Sequence, residues 1–309
     1  MLHGWLVLDK PVGLGSTTAV SAVKRILRQA GEPKAKVGHG GTLDPLASGV
    51  LPIALGEATK LCGRTLDATK AYDFTVRFGE ETDTLDAEGA VMSRSDVRPA
   101  LERVEAILPR FTGEIDQIPP AYSALKIGGK AAYERARSGE AVEMQPRRVT
   151  VHSLCVSASL CEQDDLTQRR RGAEMLQEVT LSATVSKGTY IRSLARDIAQ
   201  ALGTVGHVTY LRRTHAGPFS VESAISLDFL EEAAKARRLT ETVLPLTAAL
   251  DDIPALPVTP DQARLLRHGQ MLFGFPAEPG LQLAISEATP VALVEASAAG
   301  LRVVRGFNL

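Results

Sequence analysis

Residues 38–51 read Gly-His-Gly-Gly-Thr-Leu-Asp-Pro-Leu-Ala-Ser-Gly-Val-Leu and set one carboxylate, Asp44, in the least repetitive turn of the chain. Glycines before the carboxylate let another molecule approach the main chain closely. Pro45 fixes the backbone just after Asp44 and biases Asp44 itself away from helix. A small acid on so stiff a loop can be aimed at a reacting group. It can equally close an Asx-turn, the ordinary use of Asp beside Pro and Gly. The turn by itself leaves both uses open.

Other chemistries find little support. Cys62, Cys155 and Cys161 are odd in number and form no CxxC pair, as expected of reduced thiols acting as small buried hydrophobes. The six histidines include no HxxxH or HExxH pair, so no metal site is expected. Gly13-Leu-Gly15-Ser-Thr-Thr18 imitates a dinucleotide fingerprint, but Thr18 stands where the third glycine belongs and Lys10-Pro11 interrupts the preceding strand. There is no GxxxxGK[ST] phosphate loop, which argues against a nucleotide-dependent enzyme.

The composition, 44% hydrophobic and 23% charged, is that of an ordinary globular protein, and no apolar run approaches the length of a membrane span. Met-Leu-His-Gly-Trp opens without an export signal, so a cytoplasmic location without membrane attachment is expected. The net charge of −1 hides strong local polarity. Residues 20–40 place Lys24, Arg25, Arg28, Lys34 and Lys36 against Glu32, and residues 186–220 place Lys187, Arg192, Arg196, Arg212 and Arg213 against Asp197. Residues 80–116 carry ten acids against four arginines. One basic face and one acidic back would result if these charges all reach solvent.

The elements that must hold Asp44 can be read from periodicity. A strand over Trp5–Leu8 stops at Pro11, and a helix from about Thr17 aligns Val20, Val23, Ile26 and Leu27 before Gly31. Tyr72, Phe74, Val76 and Phe78 alternate on one face of a strand. A helix is expected at about 99–108. Residues 118–130 are too rich in Pro and Gly for a regular element, and 118–148 are expected to form a projecting loop with a short helix near Ala131–Arg137. Strands are expected near 148–159 and 178–186, separated by a polar insertion with Arg169, Arg170 and Arg171. A helix at about Thr189–Leu202 is closed by Gly203, and a strand over Gly206–Arg213 follows. The texture changes near Leu256-Pro-Val-Thr-Pro260, where Thr259 caps a helix with Pro260 at its first position. Three short strands are expected after it, near 281–285, 291–295 and 301–305. Strands and helices without βα alternation argue for an α+β class. The expected division is 1–255 and 256–309.

His39, Gly41-Thr-Leu-Asp-Pro45, Ala47, Gly49 and Gly56-Glu-Ala-Thr-Lys60 together resemble the signature of the TruB family of tRNA pseudouridine synthases. Leu8-Asp-Lys-Pro11, Lys70-Ala-Tyr-Asp-Phe74, Gly79-Glu-Glu-Thr-Asp-Thr84, Pro119-Pro-Ala-Tyr-Ser-Ala-Leu-Lys126, Ser186-Lys-Gly-Thr-Tyr-Ile-Arg-Ser193 and Tyr210-Leu-Arg-Arg213 are similar to further family motifs in the family's order. The resemblance spans most of residues 1–250. It implies a pseudouridine synthase-like domain with a mixed, largely antiparallel sheet and an RNA-gripping thumb at 118–148. Residues 256–309 resemble, more loosely, a small β-rich PUA-type RNA-binding module. The implied reaction turns uridine 55 in the T loop of tRNA into pseudouridine after base flipping, with no cofactor and no obligatory protein partner. The implied catalytic residues are Asp44 as nucleophile, Tyr72, and Arg192 as the compensating charge. Substrate contacts are expected from His39, Tyr190 and Leu211, and from Lys126, Lys130, Arg147 and Arg148 on the thumb. Two features depart from the family. Gly40 replaces a common Thr, a change expected to be tolerated in the loop, and the insertion near 161–177 has no counterpart.

Overall fold

A computed structural model of the chain describes residues 2–32, 34–140, 142–157 and 175–309. Most of the expected insertion, including Cys161 and Arg169–Arg171, lies outside the described residues.

Among those residues the main sheet has nine strands. Seven run in the order Gly4–Lys10, Ser48–Leu55, Gly206–Ala216, Lys70–Phe78, Glu178–Val185, Arg147–Val156 and Gly113–Gln117, with Val37–His39 and Phe219–Ser220 paired alongside. Its pairings are antiparallel except where Arg212 and Arg213 run parallel to Ser48 and Gly49. The sheet is therefore mixed and largely antiparallel, as the resemblance implied, and the class is α+β as expected. The strand Lys70–Phe78 sits near the middle, so its alternation buries Phe74, Val76 and Phe78 and leaves Tyr72 partly open at the end nearest the Asp44 turn.

One sheet face is covered by the helices Ser16–Gln29, Leu101–Ile107, Ile191–Ala201 and Leu227–Lys235. Ser16–Gln29 buries Val20, Val23, Ile26 and Leu27, the expected stripe, together with Ala19. Each such large aliphatic side chain, fully buried, contributes roughly 1.5–3 kcal/mol. The helix Ile191–Ala201 begins later than periodicity suggested. Tyr190, with extended backbone angles, stands as its cap, which puts Arg192 in the first, buried turn.

The segment from Ala255 onward forms its own five-stranded sheet, Ala255–Pro257, Gly280–Ser286, Thr289–Ser297, Gly300–Gly306 and Leu272–Phe273 in that order. The three expected strands are present, and Thr259 with Gln262 makes a reciprocal capping box on Pro260–Arg267. This sheet has a core of its own around Ala263, Leu266, Val291 and Leu301. Its Leu283 and Leu293, with Phe307, also pack with Trp5, Val50 and Phe219 against the second face of the main sheet.

The expected thumb is more regular than its glycines suggested. Lys126–Ile127 and Lys130–Ala131 pair as a two-stranded hairpin, followed by the helix Ala132–Arg137. Gly128 and Gly129 turn it with φ of 59° and 88°, the angles a two-residue hairpin requires.

Candidate active site

The Asp44 turn is held from three sides by side chains whose polar atoms bond to its backbone. Ser16 Oγ donates to the Leu43 carbonyl at 2.9 Å and accepts the Leu43 amide at 2.8 Å. Arg213, only 1% exposed, donates to the carbonyls of Val50 at 2.8 Å, Thr42 at 3.3 Å and Gly41 at 3.3 Å. Lys10, with no solvent exposure, donates to the Leu14 carbonyl at 2.7 Å and more weakly to that of Pro45 at 3.4 Å. Burial pushes the Lys10 ammonium down to about 8, against the pull of the nearby Asp44 carboxylate.

Asp44 remains partly exposed, and Arg192 is almost wholly buried. Arg192 Nη2 stands 2.8 Å from Asp44 Oδ2 and donates to the Tyr122 carbonyl at 3.0 Å. Its Nη1 donates to the Thr84 carbonyl at 2.9 Å and to Asp86 Oδ2 at 3.2 Å. One guanidinium thus joins the Asp44 turn, the acidic loop at 84–86 and the root of the thumb. The same helix grips that root again, since Ser193 Oγ and Arg196 Nη2 both donate to the Ile118 carbonyl.

Asp44, Tyr72, Tyr190, Arg192 and Leu211 line a single cavity of about 330 Å³, so five of the ten sequence-derived residues meet there. In the sheet, Leu211 and Arg213 register against Phe74 and Tyr72. Among the further wall residues that sequence reasoning did not assign to the site are Lys70, Ser123 and Arg213. Lys70 donates to the carbonyls of Leu66 and Ala68, and burial together with the neighbouring Arg213 charge lowers it to about 8. Asp86 was also missed. It is 3% exposed and lies two residues past the acidic motif Gly79–Thr84, which was the available signal.

The other five do not line this cavity. His39 lies in the strand Val37–His39 and borders a neighbouring hollow with Lys24, Lys36 and Cys62. Burial lowers its pKa from the ordinary histidine value, against a hydrogen bond with the Gly41 backbone. Lys126 and Lys130 sit exposed on the thumb hairpin. Arg147 and Arg148 belong to the strand that closes the thumb, and Arg148 Nε is 3.6 Å from Asp116.

The expected single basic face needs correction for residues 186–220. Arg192 and Arg213 are buried, and Arg196 pairs with Asp197. Arg212 pairs with Asp9 at 2.8 Å, and Lys187 pairs with Asp67. Arg192 and Arg213 are used to build the site and the other three are each matched by a carboxylate, so a count along the sequence overstates the free surface charge. Lys24, Arg28, Lys34 and Lys36 do reach solvent.

Gly40 is explained by space. A Cβ there would stand 2.1 Å from Thr65 Oγ1, so with Thr65 in place a threonine at 40 could not fit.

Residues 24–191 match the model of the TruB family pseudouridylate synthase N-terminal domain, and residues 192–251 match the tRNA pseudouridylate synthase B C-terminal domain. The chain is 59% identical over 309 residues to the tRNA pseudouridine synthase B of Novosphingobium aromaticivorans, covering all of this chain and 98% of that one. It is 58% identical over 307 residues to the protein of the same name from Zymomonas mobilis, covering 99% and 96% of the two chains. Among solved structures, it resembles a chain of an H/ACA RNP bound to a substrate RNA containing 2′-deoxyuridine. That match has a TM-score of 0.71 and 25% identity, and covers 99% of this chain and 86% of the other. A chain of a Cbf5-Nop10-Gar1 complex matches at a TM-score of 0.69 with 27% identity, covering 99% and 84%.

Proposed function

The chain belongs to the TruB family and is a tRNA pseudouridine synthase, and from that premise we propose that it converts uridine 55 of the T loop with Asp44 as nucleophile. The reaction breaks the bond from N1 to C1′ and joins C5 to C1′. C5 loses a proton and N1 gains one, so the product is an isomer. A carboxylate nucleophile divides this change into easier steps. Attack on the base and attack on C1′ both start from the same Asp44 carboxylate.

The observation that carries the reading is the 2.8 Å contact between Arg192 Nη2 and Asp44 Oδ2 in a cavity also walled by Tyr72. A buried, permanently charged guanidinium compensates and orients a carboxylate that would otherwise be costly to enclose. Tyr72 offers a ring on which an extruded base can stack, with Tyr190 and Leu211 as the remaining walls. The target base must leave its loop to reach Asp44, and the enzyme flips it into the cavity. Lys126, Lys130, Arg147 and Arg148 meet phosphates from the thumb, and His39 meets the nucleotide beside the cavity. Residues 256–309 act as an accessory RNA-binding module. The enzyme works on the T arm alone, without an obligatory protein partner.

The test is to incubate the purified chain with an unmodified tRNA transcript and map pseudouridine along it. Modification confined to position 55, by the chain alone, is the expected outcome. Modification elsewhere, or only with an added protein or guide RNA, would contradict it.

A further inference from the structure

Gly40 connects the strand Val37–His39 to the turn that carries Asp44, and its φ lies outside the left-handed region. Space, not torsion, excludes a side chain there. A Cβ on Gly40 would stand 2.1 Å from Thr65 Oγ1 and 2.8 Å from Thr65 Cβ, both inside any real contact. Thr65 is 2% exposed and is the buried residue of the short helix Cys62–Asp67. Its hydroxyl is tied to the Cys62 carbonyl at 2.9 Å.

The next residue of the turn is also packed against a buried side chain. A Cβ on Gly41 would meet the Arg213 guanidinium at 3.5 Å, and that guanidinium already holds the carbonyls of Gly41 and Thr42. Gly40 therefore abuts a buried threonine, and Gly41 is held by a buried arginine. The threonine is a stiff stop, because a β-branched side chain has few rotamers and this one is pinned at its oxygen. Gly40 N is held in turn by the Pro52 carbonyl at 2.8 Å.

We propose that Thr65 is a positioning residue for Asp44, acting through the side-chain-free Gly40 to fix where the carboxylate stands against Arg192. The proposal rests on the reading of Asp44 as nucleophile. Thr65 touches no reacting atom, and its effect is on the turn. A displacement of about 1 Å at a reacting group costs on the order of 100-fold in rate, so a small shift at Gly40 registers in kcat before it registers in RNA binding.

The test is a double-mutant cycle on the full-length chain, with kcat, KM, tRNA Kd and Tm measured for Gly40→Ala, Thr65→Gly, Gly40→Ala/Thr65→Gly and Thr65→Val. Gly40→Ala is expected to lose roughly 10- to 100-fold in kcat, with KM and Kd within about twofold. In the Thr65→Gly background the added methyl has room, so the same substitution should cost less than about threefold. Thr65→Val keeps the volume and removes the hydroxyl bond, so Tm falls and kcat stays within about threefold. If Gly40→Ala does not fold alone, a double variant within about threefold of the kcat of Thr65→Gly still reports the rescue, and one far below Thr65→Gly overturns the proposal. Full kcat in Gly40→Ala, an equal penalty in both backgrounds, or a kcat loss in Thr65→Val matching that of Thr65→Gly would likewise overturn it. Asp44→Asn, assayed beside them, separates the two claims. Turnover by Asp44→Asn removes the nucleophile, whereas additivity at 40 and 65 with Asp44→Asn inactive removes only the pairing.

Discussion

Arg192 holds Asp44 at 2.8 Å through one guanidinium nitrogen and Asp86 at 3.2 Å through the other, with a sequence separation of 106 between Asp86 and the arginine. The two carboxylates differ in burial: Asp44 has a side-chain exposure of 38% and Asp86 only 4%. The buried acid anchors the guanidinium, and the open one is presented to the cavity.

Asp86→Ala should therefore damage both stability and chemistry. It strips a buried arginine of its enclosed partner, a change that costs about 3–5 kcal/mol, and it frees the guanidinium to leave Asp44. A lower urea midpoint with a fall in kcat larger than any change in tRNA Kd is expected. Unchanged kcat in a folded Asp86→Ala chain would show that Arg192 needs no anchor.

The lowered Lys70 pKa gives a pH signature. Its folded value of about 8 lies below the ordinary 10.5 of the unfolded chain, so the folded state binds fewer protons in that window. The cost of burying the charge is present in full below about pH 8 and is relieved as pH rises towards 10.5. Against Lys70→Met, the wild-type chain should gain relative stability between about pH 8 and 10, measured by urea melts. A pH-independent difference would mean that the Lys70 pKa is the same in the folded and unfolded chain.

Salt should distinguish surface cations from structural ones. Lys34→Gln or Lys36→Gln is expected to lower the salt slope of tRNA binding by about 0.7–0.9 for each phosphate left unneutralised. Arg212→Gln, whose cation is already matched by Asp9, should leave the slope unaltered. The reverse ordering would place the RNA on the wrong face.

How much of this was legible in the sequence follows from what is local. The Asp44 turn and the Tyr72 strand announce themselves through Gly, Pro and strict alternation, and the Thr259 cap through its box. Arg192 facing Asp44 is separated by 148 positions, the difference of their numbers, and no spacing rule connects them. The family resemblance supplied the pair. Lys10 and Arg213 look like surface charge because their partners are backbone carbonyls, which leave no mark in the sequence. The thumb hairpin is legible in Ile127-Gly-Gly-Lys130, but the same glycines suit an irregular loop as readily as a two-residue turn.

The segment 256–309 reads as a module, yet Leu283, Leu293 and Phe307 share a core with Trp5 and Phe219. A chain ending near 255 is expected to bind tRNA less tightly and to lose several degrees of Tm, while retaining turnover at saturating RNA. Unchanged affinity would mean the segment is not an RNA module, and loss of turnover in a folded truncation would make it part of the active site.

The most direct measurement is single-turnover pseudouridine formation by Asp44→Asn, sequence-verified and free of deamidation, on an unmodified tRNA transcript. Asn is nearly isosteric with Asp but a poor nucleophile. The expected result is a loss of at least about 1,000-fold in rate, with tRNA Kd within a few-fold of wild type. Turnover within about tenfold of wild type would contradict the assignment of Asp44 as nucleophile.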